Sequence, residues 1–259
     1  MTAQGLFAGE RAVITGSASN IGRGIALALA REGAHVVLAD IDMERNAAVA
    51  REIGGAGGSA ETISVDLSQP AAWKEVISAI EGRLPEMLVH SACPRRIETD
   101  LPATVAEETW DAMLTTNVRS GFFLGRELGR RMQEAGVRGR MLFITSLHAD
   151  SPRNLPHYSA AKAGMTMVMK ELARAFGPAG IRVNALAPGA VPGGGASNMD
   201  DTFQPKHKIP LQRFGTPADM AGMAMALLSD RFSGYVTGAT VPVDGGLALY
   251  NWIPMPGHE

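Results

Sequence analysis

Tyr158 and Lys162, with Ser146 a short loop upstream, are the residue types a proton-transfer site needs. On a helix, residues spaced by four share one face, so the phenol and the ammonium stand side by side. A free phenol gives up its proton only near pH 10. An ammonium about 4 Å away stabilises the phenolate by roughly 4 kcal/mol at an effective dielectric of about 20. The pair then suits proton exchange at neutral pH. The competing reading is an exposed Tyr/Lys pair worth a few tenths of a kcal/mol. The rest of the chain decides between them.

Short apolar runs alternate with longer periodic stretches from start to finish. The runs at 12–15, 35–39, 60–65, 87–90, 141–145, 182–186 and 240–243 read as strands. The stretches at 22–32, 44–53, 71–81, 107–117, 122–134, 158–176 and 217–228 read as helices. Apolar strands separated by helices predict an α/β, doubly wound parallel sheet with helices on both faces. No Pro/Ser-rich linker, charge run or internal repeat divides the chain, so residues 1–259 read as one domain. The segment 189–212, with Gly193-Gly194-Gly195, reads as a lid over a substrate, because long loops in compact domains are usually functional. Met220, Met223 and Met225 read as core, and Trp73 and Trp110 as packing of helices on the sheet. Residues 247–259 form a tail with Tyr250, Trp252, Ile253 and Met255. Such a tail would dock on a neighbouring subunit or fold back over its own pocket.

Thr15-Gly-Ser-Ala-Ser-Asn-Ile-Gly22 joins the first strand to the first helix. Small residues there let backbone amides and the helix N-terminus approach a pyrophosphate, which makes Gly16, Ser19, Asn20 and Ile21 candidate cofactor contacts. Asn20 stands where another Gly might be, and Asn tolerates left-handed backbone. Asp40 ends the second strand, where a carboxylate accepts from both adenosine ribose hydroxyls and repels a 2′-phosphate. No Arg or Lys occupies 17–21 or 41–43 to hold such a phosphate, so NAD is expected rather than NADP. Asp66 ends the third strand and either meets the adenine edge or caps the next turn.

A net charge of −2 makes no electrostatic case for nucleic acid or acidic membranes. The single cysteine, Cys93, excludes an internal disulfide and any multi-cysteine metal site, and no metal is expected. With no visible export signal and no segment near the roughly 20 apolar residues of a membrane span, the expected location is the cytoplasm.

With these residues in hand the chain resembles the short-chain dehydrogenase/reductase family, most of all its bacterial sugar (glucose 1-dehydrogenase-like) members. The resemblance covers nearly the whole length. It includes the turn from Thr15 to Gly22, Asp66-Leu67, Asn117, Ser146 with Tyr158-x-x-x-Lys162, Arg182-Val-Asn184, Pro188-Gly189 and Val243-Asp-Gly-Gly246. It implies a single-domain Rossmann fold, a homotetramer and hydride transfer between a nicotinamide and a secondary alcohol or carbonyl. In the roles implied, Tyr158 exchanges a proton with the substrate oxygen and Ser146 hydrogen-bonds that oxygen. Lys162 stabilises the phenolate and binds the nicotinamide ribose, and Asn117 holds a water in a proton relay. Leu67, Ala92, Pro188, Gly189 and Val191 join the cofactor contacts. These roles agree with the chemistry, since hydride removal from an alcohol carbon leaves an O–H proton that needs a base.

Departures from the family pattern concentrate near the nicotinamide. His90-Ser91-Ala92-Cys93 stands where the family usually has Asn-Asn-Ala-Gly. Cys93 reads as a small buried filler rather than a reactive thiol. The Thr that often follows Pro188-Gly189 is missing, leaving Val191 to offer backbone groups. The interval from Ser146 to Tyr158 is one residue tighter than the commonest spacing. Thr145 is a stand-in, with Ser146 preferred. His148 and His157 match the glucose 1-dehydrogenase-like members. His148, Arg96 and Asn154 are candidate substrate contacts, with Arg95, Asp150, Arg153 and Asn198 at the pocket mouth. Several convergent polar groups fit a sugar or polyol. The rival substrate is a 3-oxoacyl thioester, and the rival class is a non-catalytic NAD-binding sensor.

Overall fold

The computed structural model describes residues 5–97, 99–193 and 203–249. Its centre is a parallel sheet of seven strands in the order β3-β2-β1-β4-β5-β6-β7. The strands are β1 Arg11–Thr15, β2 His35–Asp40, β3 Ser59–Ser64, β4 Met87–His90, β5 Arg140–Ile144, β6 Arg182–Pro188 and β7 Thr240–Val243. The longer helices are α1 Asn20–Arg31, α2 Met43–Gly55, α3 Trp73–Ala79, α4 Glu107–Leu114, α5 Ser120–Glu134, α6 Pro156–Phe176 and α8 Pro217–Leu228. Short helices α7 Pro205–Lys208 and α9 Asp230–Ser233 flank α8. This is the doubly wound Rossmann architecture. Strands at 87–90 and 240–243 and the helix at 217–228 fall where the sequence places them, and the other strands shift by a residue or two.

Alternation along each strand sorts side chains to two faces. Val13, Leu88, Met141, Phe143, Val183 and Ala185 point to one face, where Leu124, Leu128, Met165, Met169 and Leu172 of α5 and α6 cover them. Ile14, Val36, Leu38, Val89, Leu142, Ile144 and Leu186 point to the other, against Ile25, Leu29, Met220 and Ala224 of α1 and α8. Met223 and Met225 pack partly buried on that second face, as expected of scaffold. Trp73 stacks on Phe123, with ring centroids 5.1 Å apart. The edge strand β3 is the polar one, with a largely exposed pattern.

Two features of this scaffold position the site. The strand order reverses between β1 and β4, whose carboxyl ends open a crevice of the kind that binds ligands in such sheets. The second is the close approach of α5, whose glycines at 121, 125 and 129 face its neighbours. A Cβ at Gly129 would fall 2.3 Å from the Phe176 ring, and one at Gly121 would fall 2.9 Å from His90. Glycine there seats α5 tightly against α6 and β4.

One expected helix is corrected. The stretch 107–117 is not a single helix: α4 stops at Leu114, and Thr115–Arg119 form a π-helical turn that carries Asn117. The wider turn sends the Ser120 amide to Thr115 O instead of the Thr116 oxygen it would reach in an α-helix. Such single wide turns often mark functional positions.

Candidate active site

The four candidate catalytic residues come from three segments, the π-turn, the end of β5 and α6. α6 starts at Pro156, a residue suited to a first turn because its missing N–H has no helical partner anyway. That start places buried Tyr158 and Lys162 on one face. Lys162 Nζ lies 5.6 Å from the centre of the Tyr158 ring. It donates to Asn117 Oδ1 at 2.8 Å and to Ile144 O at 2.9 Å. Asn117 Nδ2 in turn donates to Met113 O at 2.9 Å. The ammonium is thus held by two acceptors beside the phenol it is expected to serve.

The structure separates the two candidate hydroxyls. Thr145 spends its Oγ1–H on Leu186 O at 3.1 Å, inside the sheet. Ser146 caps the short 3₁₀ turn Leu147–Ala149 by accepting from the His148 amide at 3.2 Å, which leaves its own O–H to donate elsewhere. His148 sets its ring edge-on to Tyr158, with centroids 6.4 Å apart. On the other side the Arg96 guanidinium sits 4.7 Å from the centre of the same phenol ring, a cation–π arrangement. Among the described residues no carboxylate pairs with Arg96. Asn154 is exposed in the turn before α6 with φ 66, and nothing described ties it to Tyr158. His157 is buried behind Tyr158, and burial pushes its imidazole down against a smaller upward pull from Asp100.

Cys93 corrects an expectation. Its thiol is exposed, 3.7 Å from Met113 Sδ and 3.6 Å from Asn117 Nδ2, and fills no core space. Thr15 Oγ1 ties the chain to β1 through the Ser91 and Ala92 amides, and Cys93 is the first exposed residue beyond that tie.

The dinucleotide turn has the geometry its residues suggest. Gly16 has φ 68, and a Cβ there would stand 2.7 Å from the Ala92 backbone. Asn20 takes the left-handed conformation, φ 44, expected of an Asn in a Gly position. Ser19 is the exposed N-cap of α1 and spends no side-chain bond on it, and Ile21 packs partly on the core. Asp40 Oδ2 accepts from the Ala18 amide and Oδ1 from the Asp42 amide, both at 2.9 Å. Each oxygen keeps lone pairs for a ribose hydroxyl. Asp66 accepts from Ser68 and Gln69, so the capping alternative describes its contacts here. Burial raises its carboxyl, but the Ser68 and Gln69 hydrogen bonds outweigh that and the net shift is downward. Leu67 O receives the Ser120 hydroxyl at 3.0 Å, joining the third strand's end to α5.

The chain after β6 closes the same crevice. Gly189 N donates to Val243 O at 3.1 Å, and a Cβ on Gly189 would fall 2.6 Å from Asp244. Val191 packs on the core next to Gly215. Gly193, with φ 108, comes within 3.9 Å of Asn20 Oδ1 at its would-be Cβ, so the start of the expected lid reaches the turn. The rest of that lid through residue 202, Asn198 included, lies outside the described residues, as does the tail beyond Leu249.

A tight left-handed glycine, a helix N-terminus, a strand-end carboxylate and a Tyr/Lys/Ser/Asn cluster thus share one crevice. They fit a nicotinamide dinucleotide, a cofactor that supplies hydride chemistry. The chain belongs to the short-chain dehydrogenase/reductase family, oxidoreductases acting on CH–OH groups: residues 16–248 match the family model described as enoyl-(acyl carrier protein) reductase. Glucose 1-dehydrogenase 2 of Bacillus subtilis is 34% identical over 93% of this chain and 96% of its own. A 3-oxoacyl-[acyl-carrier-protein] reductase of Chlamydia pneumoniae is 32% identical over 92% of this chain and 97% of its own. The crystal structure of a gluconate 5-dehydrogenase from Burkholderia cenocepacia, in complex with NADP and tartrate, superposes with a TM-score of 0.86. It is 29% identical and covers 94% of this chain and 97% of that one.

His90 and Thr15 are parts of the site that the sequence reading did not assign. The signal was visible as the departure from the usual Asn-Asn-Ala-Gly, but their partners are not.

Proposed function

We propose that the chain is an NAD-preferring dehydrogenase of a sugar, polyol or sugar acid. In the oxidative direction the substrate hydroxyl, bonded to Ser146, would give its proton to Tyr158, and a bound nicotinamide would supply the hydride acceptor. Lys162 favours the phenolate and binds the nicotinamide ribose, and Asn117 holds Lys162 and a relay water. The observation that carries the substrate class is the polar frame around Tyr158: His148 edge-on to one side and the Arg96 guanidinium, without a carboxylate partner among the described residues, over the ring. A positive charge there suits a carboxylate on a polyhydroxy substrate, in line with a family neighbour that binds tartrate. Asp40 supports NAD, because a carboxylate at the end of the second strand opposes a 2′-phosphate. Homotetramers in the cytoplasm are the working form we propose. Light scattering at four times the 27.3 kDa chain mass checks the assembly.

The test follows NADH absorbance with NAD and a panel of aldoses, polyols and aldonates, against NADPH oxidation with a 3-oxoacyl thioester. Turnover confined to the polyhydroxy panel supports the proposal. Turnover confined to the thioester favours the second reading, which the acyl-carrier-protein reductase relative keeps in view.

A further inference from the structure

The imidazole of His90 is fully buried at the end of β4, in register with Thr15 of β1. Nε2 lies 3.1 Å from Thr116 O and 3.2 Å from Asn117 O. Carbonyls only accept, so Nε2 carries the proton and Nδ1, 2.9 Å from Thr15 Oγ1, accepts the threonine's hydroxyl hydrogen. Thr15 Oγ1 receives the Ser91 and Ala92 amides, each at 3.2 Å. Every polar position of this relay is used, and every bond runs one way, from the strand-end amides through Thr15 and His90 to the π-turn. A filled, buried network of this kind fixes its members in one arrangement. What it fixes is the backbone of Asn117, whose side chain holds the Lys162 ammonium. The wide turn diverts the Ser120 amide from Thr116 O, and the His90 ring supplies a donor there.

We propose that His90 is a positioning residue, which anchors the π-turn to the dinucleotide strand through Thr15 so that Asn117 keeps Lys162 in place beside Tyr158. The inference rests on the proposed redox role of that cluster. It acts through Asn117 and touches neither substrate nor reacting atoms.

Gln can copy both bonds of the neutral ring, an amide N–H toward the carbonyls and an oxygen toward Thr15, whereas Leu can make neither. His90→Leu is expected to lower kcat by about tenfold or more while NADH binding by fluorescence stays within about threefold, and His90→Gln to restore kcat to within about threefold of wild type. The deciding arm is the cycle with Asn117→Ala. In that background His90→Leu should cost less than about twofold, because the residue it acts through is gone. An equal factor in both backgrounds overturns the proposal, and so does a kcat within twofold of wild type for His90→Leu. Should His90→Leu fail to fold, His90→Ala, which makes neither bond, takes its place in the same cycle. Retained turnover in Tyr158→Phe would defeat the functional reading itself, a separate result from additivity in this cycle.

Discussion

The imidazole of His90 predicts an acid sensitivity that can be worked out from its surroundings. Burial first, and the Lys162 ammonium second, push it from an ordinary 6.5 down to about 4, against weaker upward pulls from Thr116 and Asn117. Between those two values the unfolded chain binds a proton the folded chain refuses, so stability rises with pH through the window. The contribution is complete above about 6.5, falls as pH drops and levels off below about 4, where the folded ring also protonates. At about 1.36 kcal/mol per pH unit the full difference is roughly 3 kcal/mol, with about 2 kcal/mol already lost at pH 5. His90→Gln removes the titration while keeping the bonds. Urea unfolding of both proteins at pH 7 and pH 5, followed by circular dichroism, isolates the effect, since all other titrating groups are common to both. Wild type should lose about 2 kcal/mol more than the variant between the two pH values. Parallel losses within about 0.5 kcal/mol would show that the ring is not held neutral in the fold, and the relay drawn through Nε2–H would be wrong.

Three further substitutions probe the crevice. Asp40→Ala removes a charge that opposes a 2′-phosphate and should shift the NAD/NADP ratio of kcat/KM toward NADP by roughly tenfold; an unchanged ratio would remove Asp40 from cofactor selection. Gly16→Ala needs φ 68 from an L-residue and sets a Cβ 2.7 Å from Ala92 backbone. It should lower stability by roughly 2 kcal/mol or more and weaken NADH binding, and a protein with wild-type melting and affinity would contradict the geometry. Arg96→Ala should raise KM for a sugar acid by about tenfold or more and leave a neutral polyol within about threefold, whereas equal effects on both would deny it a carboxylate-binding role.

How much of this was legible beforehand depends on the range of the interaction that decides each feature. Central strands such as 87–90 are short apolar runs, and burial on both faces is written into that pattern. Tyr158 and Lys162 were legible because helical spacing alone brings them together. Asn20 was legible because its left-handed turn is a local property. The end of α4 was not: nothing in Thr115-Thr-Asn-Val-Arg119 announces an i→i+5 turn, which here accompanies a histidine donor from a strand 25 residues earlier. The exposure of Cys93 was hidden for a similar reason, since the amides tying down Ser91 and Ala92 reach a threonine on another strand. Ser146 was already preferred to Thr145 in the sequence, but the contact that occupies the Thr145 hydroxyl, Leu186 O of β6, was not visible there. Arg96 was named as a polar contact, but its place over the phenol comes from the loop after β4 folding back toward α6.

The central claim is that Tyr158 moves the proton while the nicotinamide moves the hydride, and Tyr158→Phe tests it most directly because it deletes one oxygen. Turnover of the best substrate should fall by about 10²–10⁴-fold with NADH affinity, read by fluorescence, within about threefold of wild type. A variant that turns over within tenfold of wild type would contradict it.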